Sequence, residues 1–262
     1  MKFLAVIGNP IMHSKSPRMH NNAIKFLGLK GIYTRYCLNN DLFLKEELLK
    51  IGFDAVNITV PFKEKACKIA DFKDEISTRV GSANTLCFKN NKIYAYNTDG
   101  IGFLQSIEEF KDIKKALILG AGGTALAIAY VLKQRGVDVY IANRSSKRLQ
   151  YFNAYKNSLY KDLQDFNFDL IINSTSAGLM DEYLPCSKEI LHQLLSNAKF
   201  AFEVIYNKET PFYKLCKKYD LRVKNGFEML LWQGVFAFEL FFDLKNQREE
   251  IKTAMLQALN FD

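Results

Sequence analysis

The sequence predicts an α/β protein of two domains, the first on a mainly parallel sheet. Three observations carry this. Apolar, strand-like stretches alternate with helical ones along most of the 262 residues. The alternation starts afresh near residue 114, after a hairpin, so there are two series rather than one. The length is near the upper limit for one core and comfortable for two. Strands separated by helices pair in parallel and are covered on both faces.

The first series opens with "FLAVIG" (3–8), an apolar strand. Ser16 and Pro17 then read as an N-cap and a first-turn proline, starting a helix that runs to about Gly28. "IYTRYCL" (32–38) alternates like a strand. "DLFLKEELLKIG" (41–52) has helical spacing and a glycine stop. "DAVNITV" (54–60) is a third strand, and residues 84–97 read as a hairpin turning at Asn90-Asn91.

The second series begins with "KALILGAGGTALAIAYVLKQRGVDVYIANR", a strand, glycine turn, helix and strand. "FDLIINSTSAG" (168–178) and "KFAFEVIYN" (199–207) add strands. Residues 210–226 give a helix and a short strand, and two helices close the chain. The stretch 179–189 reads as a loop that either folds over a cofactor or connects two elements.

With 48% apolar and 24% charged residues, this is the composition of a folded chain, not a disordered one. The formal charge is +8, but Lys and Arg are spread evenly, which argues against a nucleic-acid groove. Such a field favours an anionic small molecule. The five cysteines include no CxxC pair and the three histidines make no HExxH, so reduced thiols in the cytoplasm are expected, without metal. The N-terminal apolar stretch is too short for a secretory signal, and the most apolar stretch (229–242) is too short to span a bilayer, so it reads as a buried helix.

"ILGAGGTA" matches GxGxxG/A, with Gly120, Ala121, Gly122, Gly123 and Thr124 leading to Ala125. It lies between an apolar strand (116–119) and a helix, the context that a dinucleotide site needs. The first glycine allows the tight turn, the second lets a pyrophosphate approach the backbone, and the small third residue allows close helix–strand packing. Free N–H groups and the helix dipole then face the anion. After the next strand an NAD site places an acidic residue for the ribose hydroxyl. Here Asn143, Arg144 and Ser145 stand instead, followed by Lys147 and Arg148. A guanidinium there suits the 2′-phosphate of NADP.

The first series carries other polar points. Ser14 and Ser16 lie just after strand one, where hydroxyls and a helix start can hold a carboxylate. Asn57 and Thr59 share one side of strand three, Lys63 follows Pro61, Asn84 begins the hairpin, and Asp99 ends it. Taken singly, each has an ordinary structural reading: an N-cap, a helix cap or a surface charge.

Taken together, "GNPIMHSKSPRMHN", "NITVPFKE", "GSANTL", "YNTDGIGF", "LGAGGTA", "ANRS", "INSTSAG" and "NGFEMLLWQGVFAFE" resemble the shikimate dehydrogenases, in that family's order and over nearly the whole chain. The resemblance implies a substrate domain over 1–99 plus 227–262 and a Rossmann-type NADP-binding domain over 100–226. It implies reversible, NADPH-dependent reduction of 3-dehydroshikimate to shikimate, a step of aromatic amino-acid biosynthesis. Ser14 and Ser16 would hold the substrate carboxylate, and Thr59, Asn84 and Gln233 its hydroxyls. Lys63 and Asp99 would be the catalytic pair. Residues Gly120 to Thr124 would cradle the pyrophosphate, and Asn143, Arg144 and Ser145 the adenosine phosphate. Val204, Tyr206 and Gly226 fall where the family lines the nicotinamide side, Tyr206 towards the substrate.

Leu126 departs from the family, which often has Arg or Lys there, so Lys147 and Arg148 are the cations left to compensate. The nearest alternative is an NAD-linked quinate/shikimate dehydrogenase, against which the missing acidic residue speaks. A non-catalytic ligand sensor on the same fold is an alternative of another class, against which Lys63 and Asp99 speak. The chain is expected to act as a monomer or homodimer.

Overall fold

A computed structural model describes residues 1–40, 44–206 and 208–260. The chain divides into two compact units, Met1–Gly102 with Leu231–Asp262, and Phe103–Leu230. The first turn of the helix expected from 41, and residue 207 at the end of an expected strand, lie outside the described residues.

The first unit runs β1 (Lys2–Gly8), α1 (Ser16–Phe26), β2 (Gly31–Cys37), α2 (Leu44–Ile51), β3 (Ala55–Ile58), α3 (Lys63–Ile69), β4 (Phe72–Lys73) and α4 (Glu75–Val80). The hairpin β5 (Thr85–Lys89) and β6 (Lys92–Tyr96) follows, then α5 (Thr98–Ser106). The sheet order is β2-β1-β3-β5-β6-β4. β1 pairs in parallel with β2 and β3, β4 in parallel with β6, and β5 antiparallel with both its neighbours. Asn90 and Asn91 turn the hairpin at φ 51° and 58°, the left-handed pair that a tight two-residue turn needs and that asparagine tolerates. One face buries Ala5, Ile7 and Val56 against Leu44, Leu48 and Ala66. On the other, His20 of α1 stacks on Tyr33 with centroids 4.2 Å apart, beside Phe241.

Register decides what gathers at the sheet's edge. Asn57 of β3 lies opposite Thr85 of β5, and Thr85 opposite Tyr96 of β6. The C-terminal ends of β1, β3 and β6 and the N-terminal end of β5 therefore share one edge. Thr59, Lys63, Asn84 and Asp99 all follow or precede those ends.

The second unit contains β7 (Lys115–Leu119), α6 (Gly123–Gln134), β8 (Asp138–Asn143), a 3₁₀ helix (Ser146–Phe152) and β9 (Lys156–Leu159). β10 (Leu170–Asn173), α7 (Lys188–Asn197), β11 (Phe200–Glu203), α8 (Pro211–Lys218) and β12 (Arg222–Asn225) complete it. α9 (Phe227–Phe242) and α10 (Arg248–Leu259) close the chain. Its sheet is parallel throughout, in the order β12-β11-β10-β7-β8-β9. Read by chain position within the unit this is the 3-2-1-4-5-6 order of a dinucleotide-binding sheet, with its direction switching between β7 and β10.

Two expectations are corrected. α1 starts at Ser16, but Lys15 is the N-cap residue, with no side-chain cap bond. The nearest substitute is Ser14, whose Oγ accepts from Ser16 N at 3.3 Å. The loop expected over 179–189 ends at Ser187, whose hydroxyl accepts from Ile190 N at 3.4 Å and caps α7. Among the described residues no helix is long and apolar enough to cross a membrane, and no group of metal-ligating side chains assembles.

Candidate active site

At the edge of the first sheet, the chain leaves β3 through Thr59 and a cis Val60–Pro61 peptide, and Phe62 N donates to Thr59 O at 3.0 Å. That turn makes Lys63 the first residue of α3. Its Nζ lies 2.6 Å from Asp99 Oδ2, with the two side chains 19% and 11% exposed.

Asp99 is not the cap of α5. Asn97 Oδ1 takes that role, accepting from Asp99 N at 3.1 Å and Gly100 N at 3.4 Å. The Asp99 carboxylate is therefore left for side-chain partners, which a buried charge requires. Lys63 supplies one and Asn84 the other, its Nδ2 donating to Asp99 Oδ1 at 2.9 Å. The same amide nitrogen donates to Thr98 Oγ1 at 2.9 Å and to Gln233 Oε1 at 3.3 Å. It has two protons for three acceptors, so the Gln233 bond, the longest, is the one most readily exchanged for a ligand. Asn84 Oδ1 accepts from Thr98 N at 2.8 Å, which ties the hairpin start to the α5 start.

Asn57 is occupied elsewhere. It accepts from Tyr33 Oη at 2.7 Å and donates to Asn84 O and Thr85 Oγ1. Ser16 is buried and its hydroxyl bonds the Tyr33 oxygen, whereas Ser14 is half-buried in the loop between β1 and α1. Thr59 is half-buried just past β3, with its N–H on Ile7 O at 2.8 Å.

In the second unit a cavity of about 730 Å³ opens where the sheet order switches. Gly120, Ala121 and Gly122 after β7 form one wall, and Ser174 to Ala177 after β10 the other. Gly120 has φ +106°, and an added Cβ would meet Thr175 and the Ser174 backbone at 3.0–3.1 Å, so only glycine fits. An added Cβ at Gly122, by contrast, would meet nothing within 4 Å, so this N-cap of α6 is open to an approaching anion. Asn143, Arg144, Ser145 and Arg148 line the same cavity, and Arg148 Nε donates to Ala121 O at 2.8 Å. Gly123, Thr124 and Lys147 are not on its lining. Backbone N–H groups, an open helix start and several cations make this cavity fit a dinucleotide with an extra phosphate.

Val204 and Tyr206 leave the end of β11, and their segment is held by Glu203. This fully buried carboxyl accepts from Thr210 Oγ1 at 2.6 Å, Asn173 Nδ2 at 2.9 Å and Ile205 N at 3.1 Å. Burial outweighs those bonds and pushes its pKa up to about 7. Burial also raises the Tyr206 phenol. An added Cβ at Gly226 would come within 2.0 Å of Val204 O, so these two residues abut through their backbones.

Sequence reasoning misses part of the cavity. Ser174 to Ala177 read only as the polar end of a strand, although their place after β10 is the signal. Tyr160 also lines it, and so do Asp181 and Tyr183 to Lys188, which lie in the stretch 179–189 that the sequence left open between a cover and a connector. Lys188 adds a cation that Leu126 lacks. Asp181 is spent on its own loop, accepting from Gly178 N at 2.7 Å and Tyr183 N at 3.0 Å.

Three family models match the chain. They are the shikimate dehydrogenase substrate binding domain over residues 6–86, shikimate / quinate 5-dehydrogenase over 104–182, and the shikimate 5'-dehydrogenase C-terminal domain over 226–256. The chain is 41% identical over 256 residues to a shikimate dehydrogenase (NADP(+)) of Helicobacter hepaticus, covering 95% of this chain and 94% of that one. It is 39% identical over 245 residues to that of Helicobacter pylori strain P12, covering 92% of each. The crystal structure of shikimate 5-dehydrogenase from Thermus thermophilus, in complex with NADP(H) and shikimate, superposes with a TM-score of 0.85 at 30% identity, covering 98% of this chain and all of that one. With relatives this similar along nearly its whole length, the chain belongs to the shikimate dehydrogenase family.

Proposed function

We propose that the protein is an NADP-dependent shikimate dehydrogenase, which reduces the ketone of 3-dehydroshikimate and runs the reverse oxidation. The observation that carries this reading is the Lys63–Asp99 pair at 2.6 Å, held by Asn84 at the sheet edge. The first unit takes the substrate and the second the cofactor. Gly120 to Gly122 would hold the pyrophosphate of NADPH and Arg144 its 2′-phosphate, and the bound cofactor would supply a hydride. As negative charge develops on the carbonyl oxygen, the Lys63 ammonium stabilises it and donates the proton. Asp99 orients the amine, and Asn84 orients Asp99. Ser14 and Ser16 take the carboxylate, Ser16 giving up its bond to the Tyr33 oxygen, while Thr59 and Gln233 recognise the hydroxyls. Val204 and Gly226 line the nicotinamide side. In oxidation Lys63 must accept the proton. The cysteines, all free among the described residues, support a cytoplasmic setting.

A quinate-type reading with NAD would need an acidic group for the ribose. The one carboxylate on the cavity lining, Asp181, is already held by its own loop. The test is shikimate oxidation by the purified protein with NADP⁺ and NAD⁺ in separate reactions. Turnover is expected with NADP⁺ and little with NAD⁺. Turnover mainly with NAD⁺ would overturn the role of Arg144, and none with either, in folded protein, would overturn the activity.

A further inference from the structure

Arg35 is the unexplained cation of the first unit. It lies on β2, opposite Val6 of β1. Alternate residues of a strand share a face, so Arg35 lies on the face of Tyr33, two residues nearer the edge where Ser14 leaves β1. Tyr33 already bonds Ser16, which places the guanidinium beside the serine loop. Its Nη2 donates to Ser14 O at 2.6 Å. Its Nε is buried and has no partner among the described residues. Among the described residues no carboxylate pairs with it. A half-buried guanidinium with no counter-ion among the described residues calls for an anion.

We propose that Arg35 is a specificity residue for the substrate's carboxylate: it fixes the Ser14 carbonyl and supplies the positive charge that the serine hydroxyls lack. This rests on the reading that Ser14 and Ser16 receive that carboxylate. Hydroxyls alone favour the anion over its ester only through stronger hydrogen bonds, whereas an adjacent guanidinium adds a full charge that only the anion exploits. The ligand class is therefore a small hydroxylated acid in its ionised form.

The test compares shikimate with shikimate methyl ester, using NADP⁺ and wild type, Arg35→Gln, Arg35→Met and Arg35→Lys. Arg35→Gln keeps a donor for Ser14 O but no charge. It should raise the KM for shikimate ~10- to 30-fold, the scale of one charge-assisted contact. The ester's KM, or its Ki as a competitor, and the KM for NADP⁺ should hardly move. Arg35→Met should affect shikimate at least as much, and Arg35→Lys should recover part of the loss, because it returns the charge without the planar fork. Melting curves identify any variant that fails to fold, and Arg35→Lys then decides between charge and fold. An unchanged shikimate KM in Arg35→Gln would overturn the proposal. So would an equal rise for acid and ester, which marks a loop support only. Failure of the wild type to oxidise shikimate would instead overturn the activity on which the proposal rests, and the proposal with it.

Discussion

At the edge of the first sheet, Lys63, Asp99, Asn84 and Gln233 touch one another before any ligand arrives, and Asp99 is only 8% exposed. Around the second unit's cavity the order is reversed: backbone at Gly120 to Gly122 makes the wall, and Arg144 and Arg148 stand on the exposed side. A set of mutually bonded, desolvated groups responds to the loss of one member as a unit. Exposed charges that share a cavity act additively, and each is worth less. On the proposed function, chemistry that must place a proton would be built the first way, and recognition of a phosphate, which needs charge more than exact placement, the second way.

The largest effect that could break this contrast is Lys63→Ala. Removing the proton donor should lower turnover by about two to four decades, the usual span of general acid–base catalysis. Near-normal turnover would remove Lys63 from the chemistry.

The pH responses come next, and they should run in opposite directions in the two units. His20 is fully buried in the first, and neither ring nitrogen has a hydrogen-bond partner among the described residues. Burial lowers its pKa from 6.5 to about 3. The unfolded chain takes up that proton below pH 6.5 and the folded chain does not. Stability is therefore lost as pH falls from 6.5 towards 3, at about 1.4 kcal/mol per pH unit inside that window. Glu203 in the second unit behaves inversely. Its folded pKa, about 7 against 4.5, gives stability that is full at low pH and lost as pH rises from 4.5 through 7. The sole tryptophan, Trp232, lies in the first unit and reports on it by fluorescence. Hydrogen exchange in β11 reports on the second. His20→Leu should flatten only the acid loss, and Glu203→Gln only the loss above pH 4.5. A pH profile left unchanged by either substitution would contradict the assignment of that residue.

The smallest effect sharpens the other side. Arg144→Ala should raise the KM for NADP⁺ about tenfold and leave that for NAD⁺ little changed, because Arg148 and Lys188 remain on the cavity lining. Loss of all NADP⁺ binding would show that the charges there are not additive.

Much of the molecule is legible in the sequence. Alternating strand and helix patterns carry the two sheets, and "LGAGGTA" carries one wall of the second unit's cavity, because glycine geometry is local. The Lys63–Asp99 contact is not local. Those residues lie 36 apart in the chain, and only the set of motifs suggests their pairing. β4, β9 and α4 are too short to show a period. α7 does carry a helical spacing and a serine cap, which the loop-like residues before it obscure. Ser16 looks like an N-cap because serine before proline usually is one, and the pull of Tyr33 on its hydroxyl is a tertiary effect. Arg35 gives no signal at all: a polar residue in an alternating strand reads as solvent-facing until the neighbouring loop is placed.

The most direct test of the contrast is NADPH titration of folded Lys63→Ala without substrate, followed by cofactor fluorescence. Wild-type affinity is expected in a variant that has lost turnover, if binding rests on the glycine turn and the cations of the second unit as proposed. Affinity that falls along with turnover would contradict it, by showing that Lys63 serves cofactor binding and that the two sets of groups are not separate.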